Sequence, residues 1–293
     1  MDDEPFERPV LVGVGNPEAA QQLVRTAGDL AALGGGTVRL VTVAVKPHDS
    51  PFGVFADETI VDEFAGESHA LLESVTAPPG VTLEREVVTA RSVAKGLLAA
   101  VEETDPTALV VGWHGRRRRS DAVLGSTIDT LVERAPCDLH VERVGREANG
   151  VASVLLAVAG GPHVDAAANV ARAIAARNDA PVLVLSVATD GTDTDTAAAF
   201  VDEGRAALTD RGPEVAVTTA VGAADDVADA IVAEASDHDV VVMGATRQGA
   251  IRRTLAGSVP RRVVDRTAQT VILARDGDTV GGPLHRLGGL LRR

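Results

Sequence analysis

The sequence predicts an α/β fold of two tandem doubly wound five-stranded parallel-sheet domains, and three observations predict it. Short apolar runs alternate with amphipathic stretches along the whole 293-residue chain, the pattern of strands covered by helices on both faces. A glycine pattern occurs twice: Gly112-Trp113-His114-Gly115, nine residues, Gly125-Ser126, and then, 132 residues on, Gly244-Ala245-Thr246-Arg247, nine residues, Gly257-Ser258. Hydrophobic residues make up 45% of the chain but aromatics only 2%, so the core is built from Val, Leu, Ile and Ala, which suit buried parallel strands.

Each element follows from local pattern. In the first half, β-rich apolar runs predict strands near 9–14, 37–45, 82–89, 108–113 and 138–144, with helices near 17–34, 57–76, 91–104 and 126–136 between them. The second half predicts strands near 152–158, 181–188, 214–221, 239–244 and 269–275, and helices near 164–178, 195–211, 224–237 and 258–267. Aligning the halves gives an offset of 144 at the start (Val12 to Leu156, Val43 to Val187) and 132 at the end (Gly112 to Gly244, Cys137 to Gln269). Repeat 1 therefore carries a net insertion, and the stretch from Lys46 to Phe55 is the candidate. Its Phe52 and Phe55 read either as a cover for a ligand or as packing on the neighbouring domain. The boundaries drawn are 8–145 for the first domain, 151–276 for the second and 277–293 for a flexible tail whose glycine pairs weaken any helix.

Charge and composition exclude several classes. With 28 basic and 42 acidic residues the net charge is −14, which argues against a nucleic-acid or anionic-membrane partner. Lys stands only at Lys46 and Lys95, and this acidic, Lys-poor composition fits either a high-salt source or a coding bias that exchanges Lys for Arg. The single cysteine, Cys137, offers no internal disulfide and reads as buried packing, and no Cys/His cluster suggests a metal site. An acidic start (Met1-Asp2-Asp3-Glu4) and the lack of an apolar run of about 20 residues predict a cytoplasmic protein with no membrane span.

The repeated glycine pattern carries the chemistry. Each copy follows a short apolar run (Ala108 to Val111, Val240 to Met243) and precedes a helix. A glycine turn lets backbone N–H groups approach phosphate oxygens, and a helix start adds unpaired donors and partial positive charge. Arg116 to Arg119 in the first loop, and Arg247, Arg252 and Arg253 in the second, read either as partners of an anion or as a solvated loop paired with acids such as Asp121. Ser126-Thr127-Ile128-Asp129 also fits a helix capping box. The segment Ala159 to Asp165 reads as a turn into a helix, and His48, His69, His140, His238 and His285 read as solitary surface or packing residues.

Five strands per repeat, with Gly-x2-Gly-x9-Gly-Ser after the fourth, resemble the universal stress protein family in its tandem form, over nearly the whole chain. The resemblance implies a strand order of 3-2-1-4-5 in each repeat and an intrachain pseudo-dimer in which the fifth strands, Asp138 to Val144 and Gln269 to Arg275, pair edge to edge. It implies an ATP or other adenine-nucleotide site in repeat 1, with magnesium if bound, formed by Val43, Gly112, His114, Gly115, Gly125, Ser126 and Thr127. A second site would use Val187, Gly244, Arg247, Gly257 and Ser258, with Arg247 either gripping an anion or plugging the pocket. Gly15 and Ala159 stand where nucleotide-binding members usually carry an aspartate at the end of strand one.

The leading expectation is a non-catalytic stress-response or regulatory module that binds nucleotide in repeat 1, with repeat 2 as a degenerate partner. Its partners would be an adenine nucleotide and a client protein or a second tandem chain. The alternative is a nucleotide-independent scaffold or regulatory partner of a transporter or signalling protein. An ATP-hydrolysing enzyme would need a base that the motifs do not supply.

Overall fold

The computed structural model describes residues 8–46, 66–113, 126–145, 150–245 and 258–280. In the first half the order is β1 (Val10–Val14), α1 (Pro17–Ala31), β2 (Thr37–Val45), α2 (Gly66–Glu73), β3 (Thr82–Ala90), α3 (Val93–Thr104), β4 (Ala108–Gly112), α4 (Ser126–Arg134) and β5 (Asp138–Arg143). The second half follows as β6 (Val154–Ala157), α5 (Val164–Asn178), β7 (Val182–Ala188), α6 (Thr194–Thr209), β8 (Val217–Ala223), α7 (Val227–Ala235), β9 (Val240–Gly244), α8 (Ser258–Arg266) and β10 (Thr270–Arg275).

Capping chemistry sets the ends that the apolar periodicity left loose. Asn16 accepts from the Glu18 N–H at 2.8 Å with Pro17 as the first helical residue, so α1 starts sharply. Its expected run to residue 34 stops at Ala31, because Gly35 and Gly36 take positive φ and the Gly36 N–H returns to the Ala31 carbonyl at 2.8 Å. Ser92, Asp193 and Asp226 likewise cap α3, α6 and α7. Strand β8 begins at Val217 rather than 214, after Gly212 at φ 78° and Pro213, which has no N–H for a ladder.

All ten strands form one sheet in the order β3-β2-β1-β4-β5-β10-β9-β6-β7-β8, which is 3-2-1-4-5 in the first half and its mirror in the second. Among the described strands pairing is parallel within each half and antiparallel at β5–β10, where Val141 faces Leu273 and the register runs from Arg143↔Val271 to Leu139↔Arg275. The fifth strands thus close each other's open edge, as expected. Two apolar layers lie on the two faces of the sheet, and each crosses the seam: one joins Val12, Leu23 and Val110 to Leu156, Ala171 and Ile272. The other joins Leu11, Leu109 and Leu131 to Leu155, Val241 and Val263.

The seam is fastened by a device that the repeat writes twice. Arg143 donates through Nη2 to the Thr267 and Gln269 carbonyls at 2.8 and 2.6 Å. Arg275, 132 positions later, donates through Nη2 to the Ala135 and Cys137 carbonyls at 2.7 and 3.0 Å. Two residues beyond each arginine is a glycine pressed on the other half's backbone. A Cβ on Gly145 would lie 2.3 Å from the Gln269 carbonyl carbon, and one on Gly277 would lie 2.6 Å from that of Cys137. The Gly145 N–H donates to Thr270 Oγ1 at 3.1 Å, and the Gly277 N–H to Asp138 Oδ1 at 2.9 Å. An Arg-x-Gly tripeptide therefore latches each half to the strand entrance of the other.

Two outcomes follow from this packing. Arg275→Met keeps the volume but leaves two buried carbonyls unpaired, at about 1–3 kcal/mol each, so the urea midpoint should fall by the equivalent of about 2–4 kcal/mol, with Gly277→Ala also destabilising. Burial pushes the Cys137 thiol up to about 11. Native protein near pH 8 should consequently react with a disulfide reagent about 100-fold or more slower than unfolded protein, and equal rates would contradict the burial.

Candidate functional site

After β1 the chain turns into α1 on one face of the sheet, and after β4 its next described helix, α4, lies on the other. β1 and β4 are neighbours in register, Val10↔Ala108 to Gly13↔Val111, so a crevice opens between their carboxyl ends. The structure has a cleft of about 360 Å³ there. Its floor is Gly13 and Val111, Ala19 and Leu23 of α1 form one wall, and Leu97 of α3 with Ile128 and Leu131 of α4 form the other. Val43 at the end of β2, Val93, Gly15, Asn16, Gly112, Trp113 and Thr127 complete the lining.

Small residues keep it open. A Cβ on Gly13 would meet the Leu97 methyls at 2.9 Å, whereas Gly15 has nothing within 4 Å of the equivalent position. Trp113 is only 5% exposed, and its N–H donates to the Glu142 carbonyl at 2.7 Å, which extends the β4–β5 ladder one residue past the strand. The Asn16 side chain is engaged in capping α1. Among the described lining residues no side chain is ionisable.

Of the residues expected in repeat 1, the structure brings Val43, Gly112 and Thr127 together around this cleft. Ser126 opens α4 beside Thr127, its carbonyl accepting from the Thr130 hydroxyl at 2.7 Å. His114, Gly115 and Gly125 lie outside the described residues, as do Phe52, Phe55 and Arg116 to Arg119. Trp113, Leu97 and Leu131 were missed. Trp113 is the chain's single tryptophan and stands inside the glycine motif itself, a signal that was available; the two leucines read only as helix core.

The same crevice in repeat 2 is furnished differently. Val187 is the last residue but one of β7, Gly244 ends β9 and Ser258 opens α8, while Arg247 and Gly257 lie outside the described residues. Where repeat 1 has Ala19, repeat 2 has His163, whose Cβ lies 3.3 Å from where a Cβ on Gly244 would sit and whose Nδ1 accepts from the Asp276 N–H at 3.2 Å. The helices flanking that crevice, α7 and α8, are tied by Arg262, which reaches Asp226 and, at 3.0 Å, Asp229, and by Arg266, which also reaches Asp229. The corresponding positions of α3 and α4 hold Ser92, Lys95, Thr130 and Arg134.

Fold and site together define a tandem parallel-sheet protein with an open crevice at the strand-order switch point of its first half. The chain belongs to the universal stress protein family, whose model matches residues 7–143 and again 151–275. It is similar to universal stress proteins from two strains of Mycobacterium tuberculosis, 26% identical over 62% of this chain and 66% of theirs, so the match spans just under two thirds of those relatives. Among solved structures it resembles a universal stress protein from Archaeoglobus fulgidus, with TM-score 0.64 and 16% identity over 93% of this chain and 98% of that one. The fold is also similar to a putative universal stress protein from Pseudomonas aeruginosa, TM-score 0.60 at 15% identity, covering 98% of both chains. A further likeness is to the cytoplasmic domain of a prokaryotic cation chloride cotransporter, TM-score 0.56 at 13% identity, over 93% of this chain and 96% of that one. Among the described residues no helix is long and apolar enough to cross a membrane.

Proposed function

We propose that repeat 1 binds ATP or a related adenine nucleotide without chemistry, and that the protein works as a stress-response or regulatory module. The observation that carries this reading is the open cleft of about 360 Å³ at the β1–β4 switch point, within the size range of small-ligand sites. Its two ends differ in character. Val43 and Val93 offer an apolar end suited to a base, and Thr127 in the first turn of α4 marks an end where helix N–H groups and the helix dipole favour phosphate. The Gly-x2-Gly-x9-Gly-Ser run begins at Gly112 on the cleft rim and ends at Ser126, so His114, Gly115 and Gly125 belong to the proposed phosphate loop by sequence. No described lining residue is acidic, so magnesium would enter on the nucleotide's own phosphates.

In repeat 2, His163 against Gly244 and the arginine–aspartate ties between α7 and α8 support a structural role for the second crevice, with Val187, Gly244 and Ser258 in packing. A second reading, a nucleotide-independent partner of a transporter or signalling protein, is favoured by one observation. Gly15 and Ala159 leave the ends of β1 and β6 without a carboxylate.

Titration calorimetry and thermal shift with ATP, ADP and AMP, with and without magnesium, test the reading. Ligand at about 100 times Kd should stabilise wild type by about 2.7 kcal/mol. Gly115→Glu and Ala19→His, the latter importing the repeat-2 residue, should each weaken binding tenfold or more, about 1.4 kcal/mol. Equal stabilisation of all three proteins would remove repeat 1 as the site, and no response from wild type would leave the partner module.

A further inference from the structure

The duplication provides an internal control for one buried cluster. Strand β5 turns His140 and Glu142 to the sheet face covered by α1 and α5, and both are 0% exposed. Their counterparts 132 residues on are Ile272 and Ala274, equally buried. On α1, Gln22, Thr26 and Asp29 stand near Glu142, and 144 residues later the corresponding positions are Ala166, Val170 and Ala173, all in the core. The same fold in the same chain is thus built with apolar residues at every one of these places. Burying carboxyl groups without need is costly, so their presence in repeat 1 calls for a purpose other than folding.

The surroundings are specific. Thr26 and Gln22 are the polar side chains nearest Glu142, yet neither of its carboxyl oxygens makes a hydrogen bond of normal geometry among the described residues. From α1, Arg25 and Asp29 act on it. Across the strand pair β10 offers Ile272, and its Arg275 acts on His140 beside it on β5. From the other half, Arg177 of α5 brings Nε to 3.8 Å from Asp29 Oδ1 and donates to the Pro79 carbonyl at 2.8 Å, and Asn178 stands next to Asp29. Burial pushes the carboxyl of Glu142 up to about 7 against the polar side chains of Thr26 and Gln22, pushes that of Asp29 up to about 7 against Arg177 and Arg25, and pushes His140 down to about 4. Glu142 also adjoins the cleft through its main chain, whose carbonyl accepts from the Trp113 backbone N–H, and through α1, whose Ala19 and Leu23 form a cleft wall.

We propose that Glu142 is a proton-operated latch beneath α1 at the seam between the repeats. Neutral, it lets α1 seat on β5; ionised in its fully buried site, it loosens that seating and, with it, the cleft wall that α1 supplies, whereas an ionised Asp29 has Arg177 of α5 beside it. The sign follows from linkage: the folded state keeps protons that the unfolded chain has already lost. The stabilisation is therefore complete below the ordinary carboxylate range, is lost as pH rises to about 7, and changes little above that. This holds whether or not a nucleotide occupies the cleft.

Trp113, the chain's single tryptophan, packs on the opposite face of the sheet from the Glu142 carboxyl and reports on the latch through the backbone bond to the Glu142 carbonyl and through the cleft it shares with α1. In the full chain its emission should titrate between about pH 5.5 and about pH 8.5 with a midpoint near neutrality, while Tm falls from about pH 4.5 to about pH 7 and levels off above that. Glu142→Gln should flatten the emission titration and melt about 3 °C or more above wild type near pH 8. Infrared spectroscopy should show a protonated-carboxyl band in wild type near pH 5.5 that fades by pH 8.5 and is reduced in Glu142→Gln, at a pH where exposed carboxyls are ionised. A wild type with pH-independent emission and no such band, or a Glu142→Gln protein that titrates like wild type, would overturn the latch. Should Glu142→Gln fail to fold, Glu142→Ala, which imports the repeat-2 residue, decides by the same criteria, since Asp138, raised to about 6, adds its own band to the wild-type infrared titration.

Discussion

Antiparallel pairing of β5 with β10 is the contact on which the rest of the molecule depends. Each half is a parallel sheet of five strands, and each would end on an open row of backbone donors and acceptors at its fifth strand. Because the register is centred on Val141 opposite Leu273, the two rows satisfy each other and both apolar layers run through the join. Arg143 and Arg275 then cap the carbonyls left at the end of the partner half's last helix, and Gly145 and Gly277 let the backbones approach closely. A side chain at either glycine would have to push strands apart. The linker between the halves needs to do little, since the seam itself specifies their arrangement.

Once one sheet serves both halves, the crevices can diverge. Repeat 1 keeps Ala19 and Gly13, small enough to leave a cleft, whereas repeat 2 puts His163 against Gly244 and ties α7 to α8 with arginine–aspartate pairs. Such pairs at a half-exposed surface contribute little individually. Their effect here is geometric, because they hold the two helices that flank the crevice at one spacing. Divergence runs the other way at the seam, where repeat 1 buries Glu142 and His140 and repeat 2 buries Ala274 and Ile272. The chain thus keeps the apolar cleft and the buried polar seam residues in the first half, and puts a polar-furnished crevice and an apolar seam in the second.

Much of this was legible in the residues. Apolar alternation located every described strand, and the glycine motif marked the crevice between β1 and β4 through Gly112. What was not legible shares a physical cause, namely contacts between residues far apart in the chain. Leu97 and Leu131 carry the same periodicity as any core leucine, and only their convergence on Gly13 makes them cleft walls. Arg143 and Arg275 look like exposed strand ends until the partner half supplies carbonyls to receive them. His140 read as a solitary packing residue, and its full burial beside Glu142 appears only when α1 and α5 cover the seam.

The sequence by itself determined the element order, the duplication and the small-residue turns, because these depend on local backbone preference and on a period of two or 3.6 residues. Only the tertiary structure decided which residues line the cleft between β1 and β4, which carboxyls lose their water and which arginines fasten the halves. Those outcomes rest on volume and solvent exclusion created when distant segments meet, and no window along the chain contains both partners.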